Sequence, residues 1–181
     1  MATTKPVTAE DLYQMPTDAP WELWEGELRE VPGAGMEASA IADWISALLW
    51  MFVKPRDIGV VTGADGGYIL AHDPDTVVVP DVAFVRWERL PHRVRPKGYC
   101  PVPPDLAVEV RSPSDSPGDV AKKMERYRRA GVPLVWWVDP ERRIVTVYRQ
   151  GKLVAERRDG DVLDGEDVLP GFRLPVGDVF A

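Results

Sequence analysis

Apolar and polar positions recur along the chain with two different periods, and the points where one gives way to the other mark out its elements. Over residues 37–53, Ile41, Trp44, Ile45, Leu48, Leu49 and Phe52 recur at helical spacings of three and four, which predicts an amphipathic helix with a broad buried face. Upstream, Thr8 with Asp11 three residues later marks a helix start, so "AEDLYQM" reads as a short helix ending near Pro16. "WELWEGELREV" alternates on either side of Glu25-Gly26 and predicts a hairpin of two short strands.

After Pro55 the pattern changes to short β-rich runs, "IGVVTG", "GYILA" and "TVVVPDVAFV", separated by glycine, aspartate and proline turns. In "DLAVEVRS", Leu106, Val108 and Val110 alternate with Ala107, Glu109 and Arg111, so a strand carries Glu109 opposite its aliphatic face. Pro113 and Pro117 interrupt the chain, residues 119–130 read as a helix, and the apolar "PLVWWVD" reads as a strand covered on both faces. Strand, helix, strand in that order implies a right-handed crossover between parallel strands. "RRIVTVYRQGKLVAER" alternates into a second hairpin turning at Gln150-Gly151, and the final segment, without clear period, is expected to pack back on the body.

Composition narrows the choices. A chain of 181 residues that is 45% hydrophobic can bury one sizeable core, which favours a single domain over residues 1–181. The apolar stretch over residues 41–53 is broken by Asp43 and too short to cross a bilayer, and the N-terminus lacks a secretory run, so a cytoplasmic, membrane-free protein is expected. The lone Cys100 forms no internal disulfide, and His72 and His92 lie far apart, so any metal is held by oxygen ligands. A formal charge of −7 excludes a protein that coats nucleic acid by bulk electrostatics. Local basic patches remain: residues 86–97 and 121–130 each hold five Lys or Arg against one acidic residue, which is also how a solvated surface reads.

The chemistry-bearing pattern is Pro80-Asp81 at a strand start, Glu109 within a later strand, and a lysine-bearing helix just after it. Carboxylates on adjacent strands can converge on one magnesium ion, which takes oxygen ligands and retains waters. Each residue also has a plain structural reading: Asp81 as a turn cap, Glu109 as a water-facing strand residue, Lys122 and Lys123 as a solvated helix face. Trp136-Trp137, inside an apolar strand, reads as core packing rather than a base-stacking platform.

Together "VVVPDVAFV", "PPDLAVEVRSPSDSPGDVAKKMERYRRAGVPLVWWVDPERRIVTVYR" and "DVLPGFRLPVGDVF" resemble the bacterial "putative restriction endonuclease" family of the PD-(D/E)XK nuclease superfamily, from about "WELWEGEL" to the C-terminus. The resemblance implies an α/β fold with a restriction-endonuclease-like central mixed β-sheet flanked by α-helices, with antiparallel hairpins. It implies hydrolysis of DNA phosphodiester bonds with Mg2+ or Mn2+. Asp81 matches the motif aspartate and Glu109 the acidic residue of the (D/E)XK element, with the Val110 carbonyl as a third metal ligand. Arg111 stands where the superfamily lysine would, and Lys123, four residues before Tyr127, matches a lysine moved to the following helix. One departure is Ala38, where the family usually shows a histidine, with Glu37 beside it as a substitute acid on the early helix.

Strand periodicity directs Arg111 to the face of Glu109, where a permanent cation suits a phosphate or that carboxylate. A lysine whose pKa is lowered by its surroundings suits a water, so Lys123 is assigned to the water and Arg111 to the phosphate or Glu109. The two basic patches are expected to flank the acidic pair and draw in the DNA backbone. A two-fold homodimer is expected from the two cuts a duplex requires. The rivals are a catalytically degenerate nucleic-acid-binding or protein-interaction domain with the same fold, and a metal-dependent hydrolase of another phosphate ester.

Overall fold

In a computed structural model of the chain, which describes residues 5–16, 21–113 and 115–181, a six-stranded mixed sheet separates two apolar layers. In chain order the elements are α1 (Ala9–Tyr13), β1 (Trp21–Trp24), β2 (Glu27–Glu30), α2 (Met36–Arg56), β3 (Gly59–Thr62), β4 (Tyr68–Ala71), β5 (Thr76–Val78) and β6 (Val82–Arg86). There follow β7 (Leu106–Val110), α3 (Pro117–Arg129), β8 (Leu134–Asp139), β9 (Ile144–Arg149), β10 (Lys152–Arg157), β11 (Val162–Asp164), β12 (Arg173–Pro175) and α4 (Val176–Val179).

The large sheet runs β10-β9-β8-β7-β6-β3, with β7 and β8 parallel and the other neighbours antiparallel. A second sheet runs β2-β1-β5-β4, and β11 pairs β12. This is the central mixed sheet with antiparallel hairpins that was expected, with β7, α3 and β8 forming the parallel unit. Both hairpin turns fall where alternation put them. Glu25 and Gly26 have φ of 54° and 83°, and Gln150 and Gly151 have φ of 47° and 74°, the left-handed pair a two-residue hairpin loop requires.

Alternation along β7 and β8 divides the core. Leu106, Val108, Val110, Trp136 and Val138 face α2, packing on Ile45, Leu49 and Val53. Ala107 and Val135 face the other way, against Met124 and Tyr127 of α3. Trp136 is fully buried near Phe172, with ring centroids 6.1 Å apart, as expected of a core residue. Trp137, one residue on, is only half-buried and faces the α3 layer.

Two helices differ from their sequence outlines. α3 begins at Pro117 rather than residue 119, because proline at the first helical position lacks only an N–H that would be unpaired anyway. Ser116 caps it, accepting from Asp119 N–H at 3.2 Å. α2 takes in Met36 and Lys54–Arg56 beyond the periodic stretch, reaching 21 residues, and ends on Asp57 in the left-handed region. At that length, with a mean hydropathy of 1.3 in its apolar window, it is long and apolar enough to cross a membrane by composition, contrary to the sequence estimate. Its inner face is instead committed to the sheet.

The aperiodic C-terminal segment packs back, as expected, and completes the α2-side core with Leu163, Leu169, Phe172, Leu174 and Val176. Arg86 ties it down, donating to the carbonyls of Asp167 and, at 3.1 Å, Val168. Leu49→Ala and Leu169→Ala should therefore each cost about 3 kcal/mol, the scale of a buried leucine deletion. Urea unfolding reads this directly, and a cost at Leu169 far below that at Leu49 would show that the C-terminal segment is peripheral.

Candidate active site

The register pairing Val82 with Val108 brings Asp81 and Glu109 to neighbouring places one step further along β6 and β7. Ala83 and Ala107, two residues from each, face the α3 layer, so period two directs both carboxylates to that same side. Asp81 Oδ2 accepts from Val110 N–H at 2.7 Å, a side chain taking a donor that a ladder carbonyl would otherwise satisfy.

Glu109 is 5% exposed in mid-strand, which demands a partner for its charge. α3 supplies two from one helical face. Tyr127 Oη donates to Glu109 Oε1, and Lys123 Nζ lies 2.9 Å from the same oxygen. Lys123 and Tyr127, four residues apart, stack on one face of the helix, which explains why both reach a single strand position.

Lys123 Nζ is also 3.0 Å from Glu22 Oε1. Glu22 is a buried carboxylate on β1, 2% exposed, that alternation alone would assign to solvent. It is braced by Trp24, whose Nε1 donates to Oε2 at 2.8 Å, and by Val79 N–H, which donates to Oε1 at 3.0 Å. Trp24 lies beneath the Arg126 guanidinium, 4.0 Å from ring centroid to Cζ. The ammonium thus joins the two sheets.

These contacts set the protonation of the group. Burial pushes the Glu109 carboxyl up to about 8; Lys123 offsets part of the rise, while Asp81 and Glu22 add to it. Burial likewise raises Asp81, against the Val110 hydrogen bond and Lys123. For Lys123, burial opposes the charge, but Glu109 and Glu22 outweigh it and hold the ammonium above its ordinary value. That reverses the lowered lysine expected from sequence: Lys123 is here a fixed cation. Burial, then Glu109, raise the Tyr127 phenol, which stays a hydrogen-bond donor.

A cleft opens beside these residues, lined by Glu22, Glu109, Lys123, Arg29, Asp115 and Val110 among others, and carboxylates outnumber cations on its wall. Asp81 does not line it but accepts from the N–H of Val110, which does. Trp137 also lines it, so only Trp136 of the tryptophan pair is purely a core residue. Among the described residues, no group of three or more His, Cys, Asp or Glu side chains is arranged to hold a metal ion. The oxygen donors nonetheless suit a hard cation that takes one or two carboxylates and keeps its waters. Three carboxyl groups, Glu22, Asp81 and Glu109, surround one ammonium, and once Glu109 is ionised they form a local excess of negative charge that a divalent ion would balance.

Other expected participants lie elsewhere. β7 ends at Val110, so strand periodicity no longer governs Arg111; it pairs with Asp139 at 3.1 Å and Glu141 at 3.4 Å instead of Glu109. Glu37 and Ala38 line a separate hollow with Arg111, by the start of α2. Neither the substitute acid nor the position of the absent histidine reaches the cleft. The patch over residues 86–97 does not line it either: Arg89 bonds Asp105 at 3.3 Å and Arg93 bonds Asp57 at 2.7 Å. In the patch over residues 121–130, Arg128 and Arg129 are held by Glu125 at 2.6 and 3.0 Å. Of the cations expected near the acids, Lys123 is there, and Arg29 of the first hairpin joins it unanticipated.

A family model described as "Putative restriction endonuclease" matches residues 9–177. No curated protein matches the chain. Among solved structures, the fold is similar to that of "a putative nuclease belonging to DUF820" from Anabaena variabilis ATCC 29413, with a TM-score of 0.81 at 23% identity, covering 97% of this chain and 98% of that one.

Removing the ammonium should leave Glu109 and Glu22 buried without their shared counter-charge. Lys123→Met is expected to destabilise the fold by about 3 kcal/mol at pH 8.5, the scale of an orphaned buried partner. In the wild type Glu109, raised to about 8, is largely ionised there and its charge is offset by Lys123; below, it takes up a proton and needs the ammonium less, so the loss should shrink by pH 5.5. Urea midpoints at the two pH values check both points; an unchanged loss would mean that packing, not charge, sets it.

Proposed function

The chain belongs to the Uma2 family, described as "Putative restriction endonuclease", and from that membership we propose that it hydrolyses DNA phosphodiester bonds with a divalent metal at Asp81 and Glu109. The observation that carries the proposal is the buried acidic group around one ammonium, with Glu109 open to a cleft and Asp81 beside it on the Val110 N–H.

In this reading Asp81, Glu109 and the Val110 carbonyl would hold Mg2+ or Mn2+. When bound, the ion makes a coordinated water more acidic and offsets charge on the phosphate. The protein's own groups then have distinct tasks. The hydrogen bonds from Tyr127 and Lys123 converge on Glu109 Oε1, which would fix the carboxylate and leave its other oxygen for the ion. Asp81 keeps Oδ2 on the Val110 N–H and presents Oδ1. Lys123, held charged, orients the water and steadies the developing negative charge rather than exchanging a proton. Glu22 holds Lys123 in place, with Trp24 bracing Glu22. Arg29 at the cleft wall meets the approaching phosphate backbone.

One observation favours the second reading, a catalytically degenerate domain that binds nucleic acid or protein: Lys123 already bridges Glu109 and Glu22, leaving less of the charge for a metal. Calorimetric titration separates the two. The nuclease reading expects Mg2+ or Mn2+ binding that vanishes in Asp81→Ala and weakens by roughly tenfold per pH unit below the Glu109 pKa of about 8, because a proton competes for the same carboxylate. No binding at millimolar metal supports the degenerate domain.

Cleavage of plasmid and single-stranded DNA tests the activity. Glu109→Gln should lower turnover by about two orders of magnitude or more, as lost electrostatic groups do. Arg111→Met, which leaves the cleft unchanged, should cut normally. Equal cleavage by Glu109→Gln and the wild type would refute the site, and loss of turnover in Arg111→Met alone would return the role to the motif position.

A further inference from the structure

The face of α2 turned away from the sheet is apolar. Met36, Ala40, Trp44, Ala47 and Met51 follow at spacings of four, four, three and four and form one stripe along the helix, with Trp50 beside it. Met36, Trp44, Trp50 and Met51 are 91, 48, 46 and 65% exposed. Among the described residues, the other large exposed apolar side chains are scattered, apart from Leu153 and Val154 on β10. A contiguous stripe with two tryptophans is unusual on a surface that meets only water.

We propose that this stripe is the two-fold interface with a second copy of the same chain, the two α2 helices packing antiparallel. The charges on the stripe select that partner. Asp43 and Lys54, both exposed, lie eleven residues apart, three helical turns, on one edge of the stripe. A two-fold axis across the middle of α2 brings Asp43 against the partner's Lys54, and Lys54 against the partner's Asp43. The same axis sets Trp44 near the partner's Met51 and places the small Ala47 at the crossing, where it lets the helix axes approach. Lys54 is laid along the stripe already, with Nζ 4.0 Å over the Trp50 ring. An anionic lipid surface fits less well, since Asp43 stands in the contact and the chain carries a formal −7.

One helix pair covers less than the ~1,200 Å² of a stable interface, so neighbouring surface must join it. Two hollows flank the stripe. One, by Trp44, is walled by Pro140, Arg143 and Phe180; the other, by Trp50, is walled by Lys54 and Trp87. In the antiparallel arrangement each lies opposite the other end of the partner's helix and can receive its side chains.

α2 covers the Val108 face of the sheet, whereas the cleft opens on the Glu109 face. The dimer therefore carries its clefts outward and back to back. Each works on its own stretch of ligand, rather than both cutting the two strands of one duplex at one position.

Sedimentation velocity of the full chain from low to high micromolar concentration tests the interface. The wild type should sediment as a dimer, and Trp44→Glu with Met51→Glu should weaken association at least about 30-fold, the scale of a lost aromatic hot spot. Because both residues are exposed, circular dichroism should show an unchanged fold. Asp43→Lys should weaken the dimer alone, and adding Lys54→Asp should restore it, a rescue that general stickiness would not show. A wild-type monomer throughout, a dimer indifferent to Trp44→Glu with Met51→Glu, or failure of the charge exchange to restore association overturns the proposal. So does a monomer that co-sediments with anionic vesicles, which would make the stripe a lipid contact.

Discussion

Burying the Glu109 carboxylate in the middle of the large sheet is the constraint to which the surrounding structure answers. A charge at that depth must have a counter-charge and hydrogen bonds. Lys123 and Tyr127 provide them from consecutive turns of α3, which orients that helix over β7. The same ammonium reaches Glu22, so the β1–β2 hairpin docks above the α3 end of the sheet. The Val79 N–H bound to Glu22 lies two residues before Asp81, whose own oxygen holds the Val110 N–H. Sheet pairing, helix placement and cleft shape thus all answer to one group of charges.

The two faces of the sheet are specialised accordingly. The α2 face is aliphatic and aromatic throughout, closed by the C-terminal β11–β12 hairpin and α4, and supplies the stability of the core. The α3 face combines a second apolar core, including Tyr68, Leu90, Met124 and Tyr127, with the acidic group. Burying carboxylates there is energetically unfavourable, their mutual repulsion adding to it, and the raised Glu109 and Asp81 express that cost. A rigid apolar layer behind the strands is what keeps such groups from relaxing apart. Family membership supports a nuclease function, and the buried acids Glu22 and Glu109 stand on strands.

Placing the cation at the motif position or on the following helix turns on where a strand stops. Glu109 and Arg111 share a face only while the chain stays extended. With β7 ending at Val110, Arg111 leaves the alternation and is drawn to Asp139 and Glu141 beyond the end of β8. Lys123 reaches Glu109 because a helix over the sheet passes near the strand centre. A permanent cation thus serves structure at one end of the sheet, while the lysine stays with the buried acids.

The sequence by itself determined the elements whose signals are local: the long helix from its apolar spacing, both hairpins from Glu-Gly and Gln-Gly turns within alternating strands, and the parallel unit from strand, helix, strand. It also pointed to Asp81, Glu109 and Lys123 as neighbours, through family motifs that reflect shared geometry. Glu22 was not legible, because an acid in an alternating strand reads as solvent-facing until α3 and Lys123 cover it. Nor were the pairing of Arg111, the separation of the basic patch at residues 86–97 from the cleft, or the rise in Lys123, all of which depend on residues distant in the chain. Local periodicity records which face a residue presents; only the packing of one element against another decides what that face meets, how far it is desolvated, and hence what its charge can do.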